Sequence, residues 1–145
     1  MTQWMETHRA VIHPWYCDHL GHMNVRFYAH FFDDAGFHIW NHIEGAQAIM
    51  KKYGIGVVVA KTTNDFIQEA NSGELMVIKS GFTRLGNKSL TYTQIMKNAE
   101  TGEDIAIQEA IEVFFDLSKR RSTDMPVEIR EMLKGLSGSV KDGYG

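Results

Sequence analysis

The sequence predicts one α+β domain in which a long antiparallel sheet wraps around a single central helix. Apolar residues at steps of three and four, from Tyr28 to Ile43, indicate one long amphipathic helix. Three later runs rich in β-favouring residues, over 74–85, 88–98 and 103–117, are separated by short turns, which is typical of antiparallel strands. A strand of about 11 residues spans roughly 37 Å and a helix of about 20 residues roughly 30 Å, so such a sheet can curl around the helix.

Length and composition fit a globular protein. The 145 residues predict a single domain over 1–134, followed by a tail over 135–145 that we expect to be flexible. The net charge of −3 argues against a nucleic-acid-binding domain, which normally has a basic face, and the single cysteine excludes an intramolecular disulfide. The first residues lack a signal-peptide pattern, and no apolar run reaches the ~20 residues of a membrane span. We therefore expect a cytoplasmic protein that binds no membrane.

The N-terminal half is predicted to contain one strand and two helices. Residues 4–13 alternate loosely and predict an edge strand. Asn24 is the expected N-cap of the long helix, with its side-chain oxygen accepting the N–H of residue 26 or 27. A shorter helix is predicted between Gly45 and Gly54. The buried face of the long helix is expected to consist of Tyr28, Phe31, Phe32, Ala35, Ile39 and Ile43.

The C-terminal half is predicted to be mostly strand. A strand from Ile55 to Ile67 joins the three later runs in an antiparallel four-strand meander, with Gly86-Asn87 as a two-residue hairpin turn. Met125-Pro126 opens a short C-terminal helix. In the last long strand, alternating apolar residues predict the buried face: Ile105, Ile107, Ile111, Val113 and Phe115.

The segment before the long helix carries the residues suited to chemistry. Asp18, Gly21, His22 and Asn24 lie close together there. A helix N-terminus has unpaired N–H groups and partial positive charge, so it favours an oxygen that gains negative charge. Asp18 beside such a terminus is typical of a base or nucleophile facing an oxyanion site, which is the arrangement of acyl transfer.

This segment and the predicted order of elements resemble the 4-hydroxybenzoyl-CoA thioesterase family of acyl-CoA thioesterases, which have the hot-dog fold. The matching residues are Asp18, Gly21, His22, Asn24 and Tyr28. The likeness extends to about residue 117. It implies a hot-dog domain that hydrolyses an acyl-CoA to the free acid and coenzyme A.

The resemblance implies that Asp18 either attacks the thioester carbonyl or deprotonates the water that attacks it. Backbone N–H groups near Asn24 and Val25 would polarise the carbonyl oxygen. His22 would orient the loop or contact the thioester, and Gly21 would allow an unusual backbone conformation or close approach of the acyl group. The alternative for Asp18 is a purely structural role as the cap of a tight turn.

The substrate-binding residues are less well defined by the sequence. Tyr28 belongs to an aromatic stripe that is chiefly core, part of which can line an acyl channel. Arg84 and Lys88 flank the predicted hairpin and can meet the phosphates of coenzyme A, as can the basic run 119–121. A carboxylate from the segment 64–69, Asp65 or Glu69, is a candidate to assist catalysis, and a surface or edge-strand role is the alternative. The substrate supplies the coenzyme A, and no separate cofactor is expected.

Two other kinds of site are weaker alternatives. Cys17 as a nucleophile lacks a placed base, and a lone cysteine is usually inert. A metal site would draw on His13, His19 and neighbouring residues, or on His38 and His42, but neither set has a recognised ligand spacing. We therefore expect no metal.

A single sheet around one helix leaves an unpaired strand edge, which association commonly covers. We expect a homodimer or a dimer of dimers (a homotetramer), with the sites at the subunit interface, and no nucleic-acid partner. Two alternatives to an acyl-CoA thioesterase stay open: a thioesterase acting on acyl carrier protein, and a non-catalytic acyl-CoA-binding module.

Overall fold

The structure is a computed structural model that describes residues 2–137. Its helices and strands are joined by the loops that the sequence predicts. Two 3-10 turns, Pro14–Tyr16 and Ile39–His42, accompany them. Of the tail predicted over 135–145, residues 138–145 lie outside the described residues. The elements are β1 (Met5–Val11), α1 (Val25–His38), α2 (Ala46–Tyr53), β2 (Ile55–Phe66), β3 (Leu75–Leu85), β4 (Ser89–Asn98), β5 (Asp104–Asp116), β6 (Arg121–Ser122) and α3 (Val127–Lys134).

The strands form one antiparallel sheet in the order β1-β3-β4-β5-β2, with the short β6 added to β5. The sheet packs around α1, which is the hot-dog architecture that the resemblance implies. Strands β3, β4 and β5 form the predicted meander, but β2 pairs with β5, from Ile55 opposite Asp116 to Phe66 opposite Ala106. The prediction of a four-strand meander is therefore wrong for its first strand. Segment 67–74 carries the chain across to β3, and among the described strands β2 pairs only with β5.

Helix α1 buries the predicted face against the sheet. It ends at His38, so the predicted single helix is shorter than expected, and the 3-10 turn Ile39–His42 continues it. The tighter turn keeps Ile39 and Ile43 in the core, at 0% and 5% exposure. All six predicted positions are buried: Tyr28, Phe31, Phe32, Ala35, Ile39 and Ile43.

The buried face of β5 is opposite to the predicted one. The inward side chains are Ala106, Gln108, Ala110, Glu112 and Phe114, whereas Ile107, Ile111, Val113 and Phe115 are half-buried on the other face. Only Ile105 of the predicted set is fully buried. Ala106 packs in one cluster with the aromatic residues Phe31 and Phe32 of α1, whereas Phe114 packs in a second cluster with residues of α2 and α3. Pattern alone identified an apolar face that is not the core face.

A row of hydrogen-bonded polar side chains crosses the inner face of the sheet beneath α1. Ser80 on β3 lies 2.7 Å from the hydroxyl of Thr7 on β1 and donates to Oε1 of Gln94 on β4 at 2.8 Å. The Gln94 amide donates to the carboxamide oxygen of Gln108 on β5, and Gln108 in turn donates to Asn64 on β2. The Gln94 amide also donates to the Phe32 carbonyl of α1 at 2.9 Å. We call these five side chains the polar row; it ties α1 to every long strand.

The remaining elements agree with the sequence, apart from small shifts. Helices α2 and α3 lie where they are predicted. The β3–β4 turn closes between Gly86 and Ser89, so Asn87 and Lys88 are its central residues, one position later than expected. Among the described residues no helix is long and apolar enough to cross a bilayer.

Candidate active site

Asp18 begins a tight turn just before α1. Cys17 and Met23 form an isolated antiparallel bridge, and the Asp18 N–H donates to the His22 carbonyl at 2.9 Å. Gly21 has φ +84°, a left-handed conformation that side chains disfavour, and open space surrounds the position where a Cβ would lie. The left-handed backbone conformation, and not a close contact within the chain, therefore explains why residue 21 is a glycine.

The Asp18 carboxylate uses one oxygen to hold this turn. Its Oδ1 accepts the backbone N–H of Leu20 at 2.9 Å and that of His22 at 3.3 Å. These bonds, the Leu20 bond foremost, lower the pKa of Asp18, so the carboxylate is ionised at neutral pH. The turn-capping role considered from the sequence is therefore observed. No hydrogen bond of the described residues occupies Oδ2.

Asn24 caps α1 as predicted. Its Oδ1 accepts the Arg26 N–H at 3.2 Å, and its own N–H donates to the Tyr16 carbonyl at 2.8 Å. The Asn24 amide is thus unavailable to polarise a substrate, which corrects half of the expected oxyanion pair. The Val25 N–H has no partner in the hydrogen bonds of the described residues, and the Val25 side chain is 62% exposed. Val25 therefore supplies the free donor at the start of this helix.

His22 lies against Glu69, one of the two carboxylates that the sequence offered as candidates. Its Nε2 is 3.1 Å from Oε2 of Glu69, just beyond the end of β2. A bridge between His22 and Asn71 brings the two segments together. This contact joins residues far apart in sequence, so only the fold could reveal it. Asp65, the other carboxylate considered, is exposed on β2.

Tyr28 is buried one turn into α1. Its ring meets that of Phe66, at the end of β2, edge-on with centroids 5.1 Å apart. Burial raises the pKa of the Tyr28 hydroxyl, which is held neutral. This contact ties the last residue of β2 to the start of α1.

The basic residues divide into two groups. Lys88 lines a cavity of about 360 Å³ together with Lys119 and Arg121, so the two sequence-based alternatives meet in one place. Asp116 and Asp124 line it as well. We call this the basic cavity. Arg84 is instead turned along the hairpin, where it donates to the hydroxyls of Thr91 and Ser89.

The two weaker alternatives gain no support. Burial raises the pKa of the Cys17 thiol, which keeps it protonated, and the sulfur lies 3.6 Å from the His13 carbonyl oxygen. Within residues 2–137, no group of three or more histidine, cysteine, aspartate or glutamate side chains is arranged to hold a metal ion.

A second feature, at the far end of α1, was missed by sequence reasoning. A cavity of about 530 Å³ lies between the C-terminal part of α1, α2 and the sheet, and the buried carboxyl of Glu112 lines it. We call it the apolar cavity. The two ends of the 14-residue helix α1 are about 21 Å apart. Asp18 precedes its first residue and the cavity lies at its other end, so the two are far apart within one chain. Glu112 has the parity that the sequence predicted to be exposed in β5, so the sequence pattern did not point to this cavity.

Comparison with known proteins identifies similar folds. A family model described as the Thioesterase-like superfamily matches residues 12–133. No curated protein sequence matches the chain. The probable thioesterase YbaW from Escherichia coli is similar in structure, with a TM-score of 0.78 and 22% identity over 89% of this chain and 96% of that one.

Two further solved structures are similar at lower identity. SAV2348 from Staphylococcus aureus, solved in complex with CoA, has a TM-score of 0.81 and 15% identity, over 94% of this chain and 85% of that one. Slr0204 from Synechocystis, a 1,4-dihydroxy-2-naphthoyl-CoA thioesterase, has a TM-score of 0.74 and 14% identity, over 90% and 96%. At such identities these structures show a shared fold.

Proposed function

Since this chain belongs to the Thioesterase-like superfamily and hydrolyses thioester bonds, we propose that its substrate is an acyl-CoA and that Asp18 is the catalytic carboxylate. The assignment rests on the different hydrogen bonding of the two Asp18 carboxylate oxygens. Oδ1 is held by two backbone N–H groups, whereas Oδ2 accepts no bond from the described residues. A carboxylate fixed by one oxygen and free at the other is oriented and charged for catalysis.

Two steps are open to the free oxygen. As a base, Oδ2 takes a proton from water while the water oxygen attacks the carbonyl carbon; the C–S bond then breaks, and the thiolate leaves and is protonated. As a nucleophile, Oδ2 bonds to the carbonyl carbon and expels the thiolate, and water then hydrolyses the mixed anhydride. In either case we assign the Val25 N–H as the donor to the carbonyl oxygen as this oxygen gains charge.

Replacing Asp18 with asparagine tests this proposal. Asp18→Asn keeps an oxygen that can cap the turn but removes the charge and basicity. We expect kcat for acyl-CoA hydrolysis to fall by roughly 10² or more, as the loss of a catalytic base typically costs. Release of free thiol from a panel of acyl-CoA esters measures it and also identifies the preferred acyl group.

Asp116→Asn calibrates the structural cost. Asp116 Oδ1 accepts two backbone N–H groups, from Ser118 and Lys119, in the same manner as Asp18. We expect both variants to lose a similar, small free energy of unfolding in urea. A wild-type kcat in Asp18→Asn would remove Asp18 from the mechanism, and binding of acyl-CoA by the wild type without thiol release would favour a non-catalytic module.

We further propose that two copies of the chain complete the site. The described sheet pairs β2 along one edge only, and Tyr28 and Glu69 lie at its C-terminal end. Antiparallel pairing of two β2 edges would bring the beginning of one copy's β2 beside this end of the other. The apolar cavity lies near that beginning, so the pairing offers Asp18 an apolar surface that its own chain does not provide.

The phosphates of coenzyme A are assigned to the basic cavity. Lys88, Lys119 and Arg121 provide three cationic groups there, which exceed the two carboxylates of Asp116 and Asp124, near the Ile55–Asp116 pair that begins β2. Phosphate binding by such groups is electrostatic and contributes to substrate binding more than to the chemical step.

Removing two of these charges tests the assignment. In Lys88→Gln/Arg121→Gln we expect KM for acyl-CoA to rise several-fold with kcat nearly unchanged, because the lost interaction is equally strong in the ground and transition states. Arg84→Gln, on the same hairpin, tests the other sequence-based candidate. A rise in KM with Arg84→Gln alone would move the phosphate site to Arg84.

A further inference from the structure

The apolar cavity has the size and walls of a small-molecule site. Its volume of about 530 Å³ falls within the ~300–1,000 Å³ that ligand sites usually have. Phe37, which lines it, is 80% exposed, so the cavity reaches the surface beside this ring. Its apolar walls are formed by Phe37, Trp40, Met50, Ile55, Val57 and Leu117.

One buried carboxyl group faces this apolar space. Glu112 on β5 is 6% exposed. Its Oε1 accepts the indole N–H of Trp40 at 3.2 Å, and its Oε2 accepts the Tyr92 hydroxyl at 3.4 Å. Both donors are neutral, and none of the ion pairs among the described residues includes Glu112. The carboxyl is therefore buried with hydrogen bonds but without a compensating cation.

Burial raises the pKa of Glu112 to about 7, and the bonds from Trp40 and Tyr92 oppose the shift without cancelling it. At neutral pH the carboxyl is thus close to half-ionised. A charged carboxylate in an apolar cavity needs water and a neutral one does not. The protonation state of Glu112 therefore determines how much water the cavity holds.

The other groups around Glu112 do not play this part. Tyr92 on β4 is neutral, since burial raises the pKa of its hydroxyl. Asp33 on α1 and Lys51 on α2 line the cavity, but both are exposed to solvent. The part of β2 that lines the cavity contributes apolar residues and a glycine. Glu112 is the buried ionisable group that an occupant would cover.

We propose that the apolar cavity binds the uncharged, apolar acyl chain of the substrate and that this binding is coupled to protonation of Glu112. An apolar chain displaces the water that an ionised carboxylate requires, so it enters when Glu112 carries a proton taken from solvent. The identity of the occupant rests on the proposed function. Its chemical class follows from the walls: an aliphatic or unsubstituted aryl chain, and no anionic tail.

1-Octanol is a suitable probe, because it is uncharged at every pH used and contains no thioester. Calorimetric titration of the wild-type protein should show a Kd about 30-fold weaker at pH 8.5 than at pH 6, the limit for one proton leaving a group of pKa about 7. At pH 8.5, titrations in two buffers of different ionisation enthalpy should show uptake of close to one proton. A Kd that does not change with pH, no proton uptake, or no octanol binding would each overturn the proposal.

Three variants locate the effect. Glu112→Gln keeps the shape of the side chain, so octanol should bind at every pH about as tightly as it binds the wild type at pH 6. Asp33→Asn removes the other carboxylate that lines the cavity and should keep the wild-type pH dependence. Met50→Trp fills the cavity and should abolish binding. A pH dependence of octanol binding that persists in Glu112→Gln, or that disappears in Asp33→Asn, would place the titrating group elsewhere. If Glu112→Gln does not fold, the number of protons that the wild type takes up on binding octanol decides the proposal.

The outcome is separable from that of the proposed function. Asp18→Asn should bind octanol as the wild type does while losing thioester hydrolysis. Proton-coupled octanol binding by a wild-type protein that hydrolyses no acyl-CoA would refute the proposed substrate and leave the coupling. Acyl-CoA hydrolysis with pH-independent octanol binding would refute the coupling alone.

Discussion

At the scale of single residues, Glu112 makes the stability of the protein depend on pH. Its folded pKa is about 7, above the ordinary value of 4.5 that it regains on unfolding. Between these values the folded state holds a proton that the unfolded state has lost, so stability falls as pH rises from about 4.5 to about 7. The shift corresponds to roughly 3 kcal/mol, present in full below pH 4.5 and absent above pH 7.

Glu112→Gln should remove this decline, because glutamine carries no charge at any pH. Relative to the wild type, the variant should be more stable at pH 8 by up to about 3 kcal/mol and nearly equal at pH 4.5. Urea unfolding across this pH range measures it. Glu109→Gln, an exposed carboxylate on the same strand, should leave the wild-type curve unchanged. Equal curves for Glu112→Gln and the wild type would mean that Glu112 is ionised in the folded protein.

Residue roles that depend on near neighbours could be predicted from the sequence, and those that depend on distant ones could not. Asn24 caps a helix two residues away, and the predicted bond to Arg26 is confirmed. The partners of Glu112 lie 72 and 20 residues away, at Trp40 and Tyr92. No local pattern carries such a contact. The catalytic role of Asp18 stays a prediction, since its turn geometry suits both a cap and a base.

At the scale of elements, Gly36 allows α1 to pack close against Tyr92 of β4. A Cβ on this residue would lie 2.6 Å from the Tyr92 hydroxyl oxygen. The same hydroxyl donates to Glu112, so it is not free to move aside. Glycine costs an α-helix about 1 kcal/mol relative to alanine, and here it permits the close packing.

Gly36→Ala should therefore destabilise the protein by about 1–3 kcal/mol, although alanine favours the helix. Tyr92→Phe removes the obstructing oxygen, so Gly36→Ala should cost less in that background, with a coupling of about 1 kcal/mol in a double-mutant cycle. Free energies of unfolding in urea give all four corners. Gly135→Ala, with open space around its Cβ, is the control and should change little. Additive effects of Gly36→Ala and Tyr92→Phe would show that the two residues do not meet.

Element types were predictable because hydrophobic periodicity records them directly. The strand order was not, because the place of β2 beside β5 depends on where segment 67–74 crosses the sheet. The buried face of β5 was wrongly predicted for a related reason. Beside Phe31 and Phe32 the inward residue of β5 is the small Ala106, whereas the larger Ile111 and Val113 lie on the other face.

At the scale of the whole molecule, the free side of β2 is the feature that most needs a partner. Val58 and Val59 are about half exposed on this strand. A long edge strand with apolar side chains readily pairs with another copy. The proposed dimer would cover it and bring the apolar cavity to a second chain's Asp18.

Sedimentation equilibrium should give a mass of twice 16.5 kDa or a multiple of it. Val58→Lys should shift the mass towards 16.5 kDa at micromolar concentration, because a buried unpaired lysine opposes the pairing. Val127→Lys, on α3, is the control: Val127 is 71% exposed against 45% for Val58, and the change should leave the mass unchanged. A wild-type mass of one chain, with full activity, would contradict the two-copy site.

The polar row has a consequence for how the chain selects its final alignment. A strand that shifts its register by two residues keeps the same face inward, so the buried apolar area alone would not distinguish the shifted register from the native one. Such a slip moves a side chain by about 6.8 Å, well beyond hydrogen-bonding reach. A slip of β4 or β5 would leave the amide group of Gln94 or Gln108 without partners in the dry interior, at a cost of about 1–3 kcal/mol per group. The five side chains of the polar row thus help to select the native register of the strands.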